Sequence, residues 1–279
     1  MNLRGTTLLF LSFLSLSSCK EDPILIPELT VGARKVLVEE LSGVRCQNCP
    51  DGARLLASLQ EQYKDNLIVV TMHADLFGTL VKPYSQNDPK PTKDDFRTQD
   101  AIDLTNFVGV PLGIPAAAVN RRQIPNEESP FVIAISQWSG LIGQQLQLPP
   151  QVGVFISQDY DEQSRRLDID VNITPDVDLA GEHRLTVMIT QDSIVDVQKD
   201  GLVTVENYVH RHVLRDIVTR PDGDPIAEPL TARALITKKF SLNLPEKWDA
   251  KHCSIVAFVH RNGTPDKEVL QAAEKHVGE

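Results

Sequence analysis

Two cysteines two residues apart, Cys46 and Cys49 in "SGVRCQNCPDG", put the most reactive side chains of this sequence at a tight spacing. They stand where an apolar run, Val36–Leu41, gives way to an amphipathic one, Pro50–Tyr63. If the first run is a strand and the second a helix, the pair sits at a helix N-terminus. There the first N–H groups have no intrahelical partner and the dipole is positive, so a thiolate is stabilised. Pro50 fits the first helical turn, which needs no N–H from it. Arg45 adds a positive charge beside Cys46. In an exchange reaction Cys46, nearer the tip, would attack and Cys49 would resolve. Two other roles stay open for the pair: a permanent disulfide, or two ligands of a metal. A structural zinc ion wants four ligands, and one such motif supplies two.

The N-terminus sets the redox surroundings. Met1–Arg4 carries one positive charge, and "TLLFLSFLSL" at Thr7–Leu16 is too short an apolar run to span a bilayer. "LSSC" follows and resembles a bacterial lipobox. Residues 1–18 are therefore expected to be a signal peptide and Cys19 the lipidated residue, palmitate included. "KEDP" at Lys20–Pro23 resembles a short acidic signal for surface export, and residues 19–33 read as a tether. Disulfides persist outside the cytoplasm. With Cys19 acylated, Cys46 pairs with Cys49, and Cys253 is left over as a buried small hydrophobe.

Those cysteines need a frame. Strand Val36–Leu41, helix Pro50–Tyr63 and strand Leu67–Met72 make a strand–helix–strand unit. A proline-rich loop follows at Lys82–Lys93, then a helix at Asp94–Phe107, a short strand at Ala116–Val119 and a helix at Ser129–Gln147. Beyond Pro149–Pro150 the period becomes two, as in "LDIDVNIT" at Leu167–Thr174. About seven strands are expected there, in a sandwich. One of them runs through Leu202–Val218 and puts His210 and His212 on the same side, by default a solvated face, with a metal pair as the sharper reading. His73 ends the second strand within reach of the dithiol. With 41% hydrophobic residues the chain can bury a core, and a net charge of −10 without a basic run excludes a nucleic-acid binder.

The residues from 34 to 147 resemble the thioredoxin-like superfamily, on the strand, the "CQNC" dithiol, its helix, the second strand and "GIPAAAV" at Gly113–Val119. The resemblance implies a cis-proline facing the dithiol. Pro115, after Ile114, is the matching position, and Pro111 is the competing one. The chain departs from that superfamily in having Arg45 where an aromatic residue is usual and Gln47–Asn48 between the sulfurs. The whole layout, with "YVHRHVLRD" at Tyr208–Asp216, resembles the Omp28-related outer-membrane lipoproteins. It implies an α/β thioredoxin-like domain over 34–148 and an all-β immunoglobulin-like sandwich over 149–279. The expected function is thiol–disulfide exchange on exported proteins, with Cys46, Cys49 and Pro115 in the site. The alternative is a non-catalytic surface scaffold that binds surface partners, with the disulfide structural. No cofactor or metal is expected beyond the redox-active disulfide and the lipid anchor.

Overall fold

The computed structural model describes residues 32–125, 127–263 and 265–279. The expected signal, Cys19 and all but the last two tether residues lie outside them. β1 (Val36–Leu41), α1 (Cys49–Tyr63), β2 (Leu67–Met72), α2 (Gln99–Val108), β3 (Ala116–Val119), β4 (Phe131–Val132) and α3 (Ile135–Leu146) fill the first half. β5 (Val152–Asp161), β6 (Arg166–Pro175), β7 (His183–Gln191), β8 (Ile194–Asp200), β9 (Val203–His210), β10 (Val213–Ile217), β11 (Asp224–Pro225), β12 (Ile236–Asn243), β13 (Cys253–Arg261) and β14 (Val269–His276) fill the second. The fold is β-rich, and its largest sheet is mixed. No described helix is long and apolar enough to cross a membrane, which says nothing of a β-barrel.

One sheet takes strands from both sides of residue 149, in the order β14-β13-β7-β10-β2-β1-β3-β4. β1 and β2 run parallel, as their helical crossover requires, and β3 is antiparallel to β1. The join is β10 against β2, where Val213 pairs with Thr71 and the Thr71 N–H donates to the His212 carbonyl at 2.8 Å. A three-stranded sheet, β12-β6-β5, buries Leu167, Ile169, Val171 and Ile173 against Val187, Ile189, Ile255 and Ala257 of the large sheet. The alternation at Leu167–Thr174 is thus one dry face and one wet face. β8 and β9 form a separate two-stranded hairpin.

Strand β1 works the other way, since both its faces are covered. Leu37 and Leu41 pack beside α2, Phe258 and Leu214, whereas Val36 and Val38 pack beside Leu56, Trp138 and Ile142. Glu39 and Glu40 follow the same alternation and are therefore both buried, at 0% and 1% exposure.

Three expected elements differ. The helix expected from Asp94 begins at Gln99, because Thr98 caps it, its hydroxyl accepting from the Ala101 N–H at 3.0 Å. Asp94 and Lys93 instead donate their N–H groups to the Asp196 carboxylate. The helix expected from Ser129 begins at Ile135, for Phe131 and Val132 pair with β3 as strand β4. The single strand expected over Leu202–Val218 is two, β9 and β10, in different sheets. His212, at φ 53°, turns the chain between them.

Candidate functional site

The turn before α1 carries Cys46, and Cys49 opens the helix, with Pro50 behind it in the first turn. The two sulfurs form a disulfide across a Cα–Cα distance of 5.4 Å. The Cys46 N–H donates to the Gly43 carbonyl and the Cys49 N–H to the Cys46 carbonyl, at 3.0 and 3.4 Å. Asn48 makes no side-chain cap bond, and the Asp51 N–H in the first turn donates instead to the Asn48 carbonyl at 3.2 Å. Both cysteines are buried, at 3% and 1% exposure. The Ile114–Pro115 bond is cis, and Ile114 lines an open cleft of about 600 Å³ together with Cys46, Tyr84, Lys199 and Thr204.

Arg45 does not direct its charge at the sulfur. Its guanidinium donates to the Lys82 and Pro83 carbonyls and to Asp88, at 3.0, 2.9 and 3.1 Å, and stacks over Tyr84 at 4.0 Å. It fastens the proline-rich loop beside the dithiol.

Behind Cys49 lies a second cavity of about 360 Å³, between α1, β2 and β9. Glu40, Thr71, His73, Tyr208 and His210 line it on one side, and Pro50, Ala53 and Leu56 on the other. Glu40 accepts from the Thr71 hydroxyl at 3.1 Å through Oε2, while Oε1 has no hydrogen-bond partner. Burial pushes this carboxyl up to about 7, the Thr71 bond opposing. Gly52 leaves it room. A Cβ there would stand 2.8 Å from the Trp138 ring and 2.9 Å from Glu40 Oε1. The lack of a side chain lets α1 settle on both.

His73 and His210 have ring centroids 6.5 Å apart and both pack on Phe96. Burial lowers His73 to about 3 and His210 to about 4, so both are neutral at pH 7. His210 and His212 do not share a solvated face. His210 is buried, while His212 Nε2 bonds to Gln60 at 2.9 Å and its Nδ1 lies 3.5 Å from Asp192. Among the described residues no group of three or more His, Cys, Asp or Glu is arranged to hold a metal ion. Cys253 is buried at the start of β13, donates to the Asp249 carbonyl at 3.3 Å, and has its thiol pushed up to about 12 by burial.

Sequence reasoning singled out the dithiol and Pro115 but passed over Glu40. Its signal was present, a charged pair inside an otherwise apolar strand, since a carboxyl buried without a pairing cation costs energy and marks a candidate for a functional group. The hairpin β8–β9 carried no such signal.

A family model described as outer membrane protein Omp28 matches residues 101–279. No curated protein matches the chain. Among solved structures, HBP35 of Porphyromonas gingivalis is similar at a TM-score of 0.65 and 18% identity, over 88% of this chain and 76% of that one. A crystal structure of an Agrobacterium tumefaciens protein gives 0.55 and 14%, over 89% and 96%. A domain of the outer membrane lipoprotein Omp28 from Porphyromonas gingivalis gives 0.33 and 18%, over 47% and 92%. The first two share the fold.

Proposed function

The chain belongs to the Omp28 family of outer membrane proteins, and from that premise we propose that it is a lipid-anchored thiol–disulfide exchange protein acting on exported proteins. Its place is the outer membrane. The anchor is Cys19, the exchanging unit is a thioredoxin-like body over 34–148, and the immunoglobulin-like strands over 149–279 hold it. The observation that carries the reading is the Cys46–Cys49 disulfide at a helix N-terminus with the Glu40 carboxyl, its Oε1 without a hydrogen-bond partner, on the cavity behind Cys49.

In the reduced protein the Cys46 thiolate attacks one sulfur of a partner disulfide. A mixed disulfide forms and a partner thiolate leaves. Cys49 gives its proton to Glu40 and attacks Cys46 Sγ. The intramolecular disulfide closes, the second partner sulfur departs as a thiolate, and two electrons have passed to the partner. A group that titrates near 7 is matched to this transfer at neutral pH. Exchange runs in either direction according to the potentials of the two pairs. The Ile114 backbone beside Pro115 borders the cleft through which an extended partner segment reaches Cys46.

A Cys49→Ser variant cannot resolve the mixed disulfide. It is expected to accumulate covalent adducts with exported proteins, visible as reducible bands on non-reducing gels and absent in Cys46→Ser. No adducts, together with no insulin reduction by the parent chain, would sink the reading. Burial of both sulfurs favours a second reading, a structural disulfide in a surface scaffold.

A further inference from the structure

We infer that the β8–β9 hairpin is a latched lid over the dithiol, and that its opening governs access to Cys46. The consequence for exchange rests on the function proposed above, but the lid does not.

The hairpin's base is fixed. Asp196 is fully buried and its carboxylate accepts the N–H groups of Lys93, Asp94 and Val197. Ile194 packs with Val44, Phe96 and Val213. Just beyond, the β8–β9 register shifts between Asp196 and Gln198, which marks a break between base and tip.

The tip is held differently. The Lys199 N–H donates to the Val44 carbonyl at 2.8 Å, and the Gly201 N–H donates to the Gln47 carbonyl at 2.9 Å. Gln198, buried, donates its carboxamide to the Gly43 and Cys46 carbonyls at 3.2 Å. From the α1 side, Arg54 grips both Asp200 oxygens at 2.9 and 3.2 Å. From the loop side, Lys90 reaches the Thr204 carbonyl at 2.9 Å and Glu206 at 3.0 Å. Few apolar contacts back these bonds. Leu202 is 92% exposed and Val203 64%. The base is thus packed, whereas the tip is pinned by polar bonds to the very turn that carries Cys46. Its Lys199 and Thr204 wall the cleft at whose foot Cys46 is 3% exposed. The Cys46 thiolate must meet a partner disulfide in line with the S–S bond that it breaks, and the tip narrows that approach.

The test uses the full reduced chain and an Arg54→Ala/Lys90→Ala double variant, at one exposed and one half-buried position, with Gln198→Ala as a second variant. Iodoacetamide alkylation of Cys46 is followed from pH 6 to 9, together with hydrogen exchange at the Lys199 and Gly201 amides. Releasing the ionic latches is expected to raise the alkylation rate by roughly fivefold to tenfold. The increase should hold at every pH with the same midpoint, and both amides should exchange faster together. An unchanged rate in folded variants, or a moved midpoint with the same plateau, overturns the lid. Faster alkylation in variants that, like the parent, fail to reduce insulin would keep the lid and reject exchange.

Discussion

Replacing Glu40 by glutamine is expected to slow thiol–disulfide exchange about 100- to 1000-fold and, at the same time, to make the folded chain more stable above neutral pH. The two effects have one cause. The carboxyl is fully buried beside Thr71, and loss of its hydration raises it from an ordinary value to about 7. In the unfolded chain it ionises near 4.5. Between these pH values the native state binds the extra proton, so stability falls as pH rises through that window. The loss approaches about 3 kcal/mol once the folded group is ionised. Glutamine keeps the shape and the Thr71 contact but never ionises, so at pH 8 it should recover an amount of that order in a urea titration. It also cannot accept the Cys49 proton. The exchange rate measured with insulin should lose its rise through pH 7. Equal rates for variant and parent from pH 6 to 8 would remove Glu40 from the reaction.

The largest effect on stability alone is expected at Arg121. Its guanidinium holds Glu39 with Nε and Nη2 at 2.8 and 2.6 Å, with both side chains essentially dry. It lies 4.8 Å from the centre of the Phe258 ring, so the pair ties β1 to β13 across the join between the two halves. Arg121→Leu leaves an uncompensated carboxylate in the core and should cost about 3–5 kcal/mol. Removing both charges, in Glu39→Leu/Arg121→Leu, should restore most of that loss, since a buried ion pair contributes little net stability over an apolar pair of similar volume. The cycle is read from urea midpoints at pH 7. A single variant that loses under about 1 kcal/mol, or a double variant that unfolds with the single, contradicts this view of the join.

Several features were legible because their causes are local. β1, α1 and β2 follow from runs and periods, and the disulfide follows from the two cysteines beside Pro50. The misplacements have local causes too. Phe131 falls in phase with Trp138 and Ile142, so helical periodicity absorbed it, although it packs from a strand. His210 and His212 alternate with valines on paper, yet the chain turns at His212 and sends them to different environments. What was not legible is long-range. The pairing of Val213 with Thr71 joins residues far apart in sequence, and neither strand names its partner. The cover over the dithiol is of the same kind. Gln198 reads as an ordinary strand polar residue until the fold sets its amide against the Cys46 carbonyl. Glu39 and Glu40 interrupt an apolar strand, and only the sheet's position shows that one meets an arginine and the other a cavity.

The most direct test of the central claim is the equilibrium reduction potential of the Cys46–Cys49 pair in the full chain, measured at pH 7 against thiol–disulfide buffers. An exchanging pair must be able to give and take electrons with the disulfides of exported proteins. The account predicts a value at or above about −270 mV. A value well below this, at which the bond resists reduction by those partners, would contradict it and make the disulfide a permanent staple.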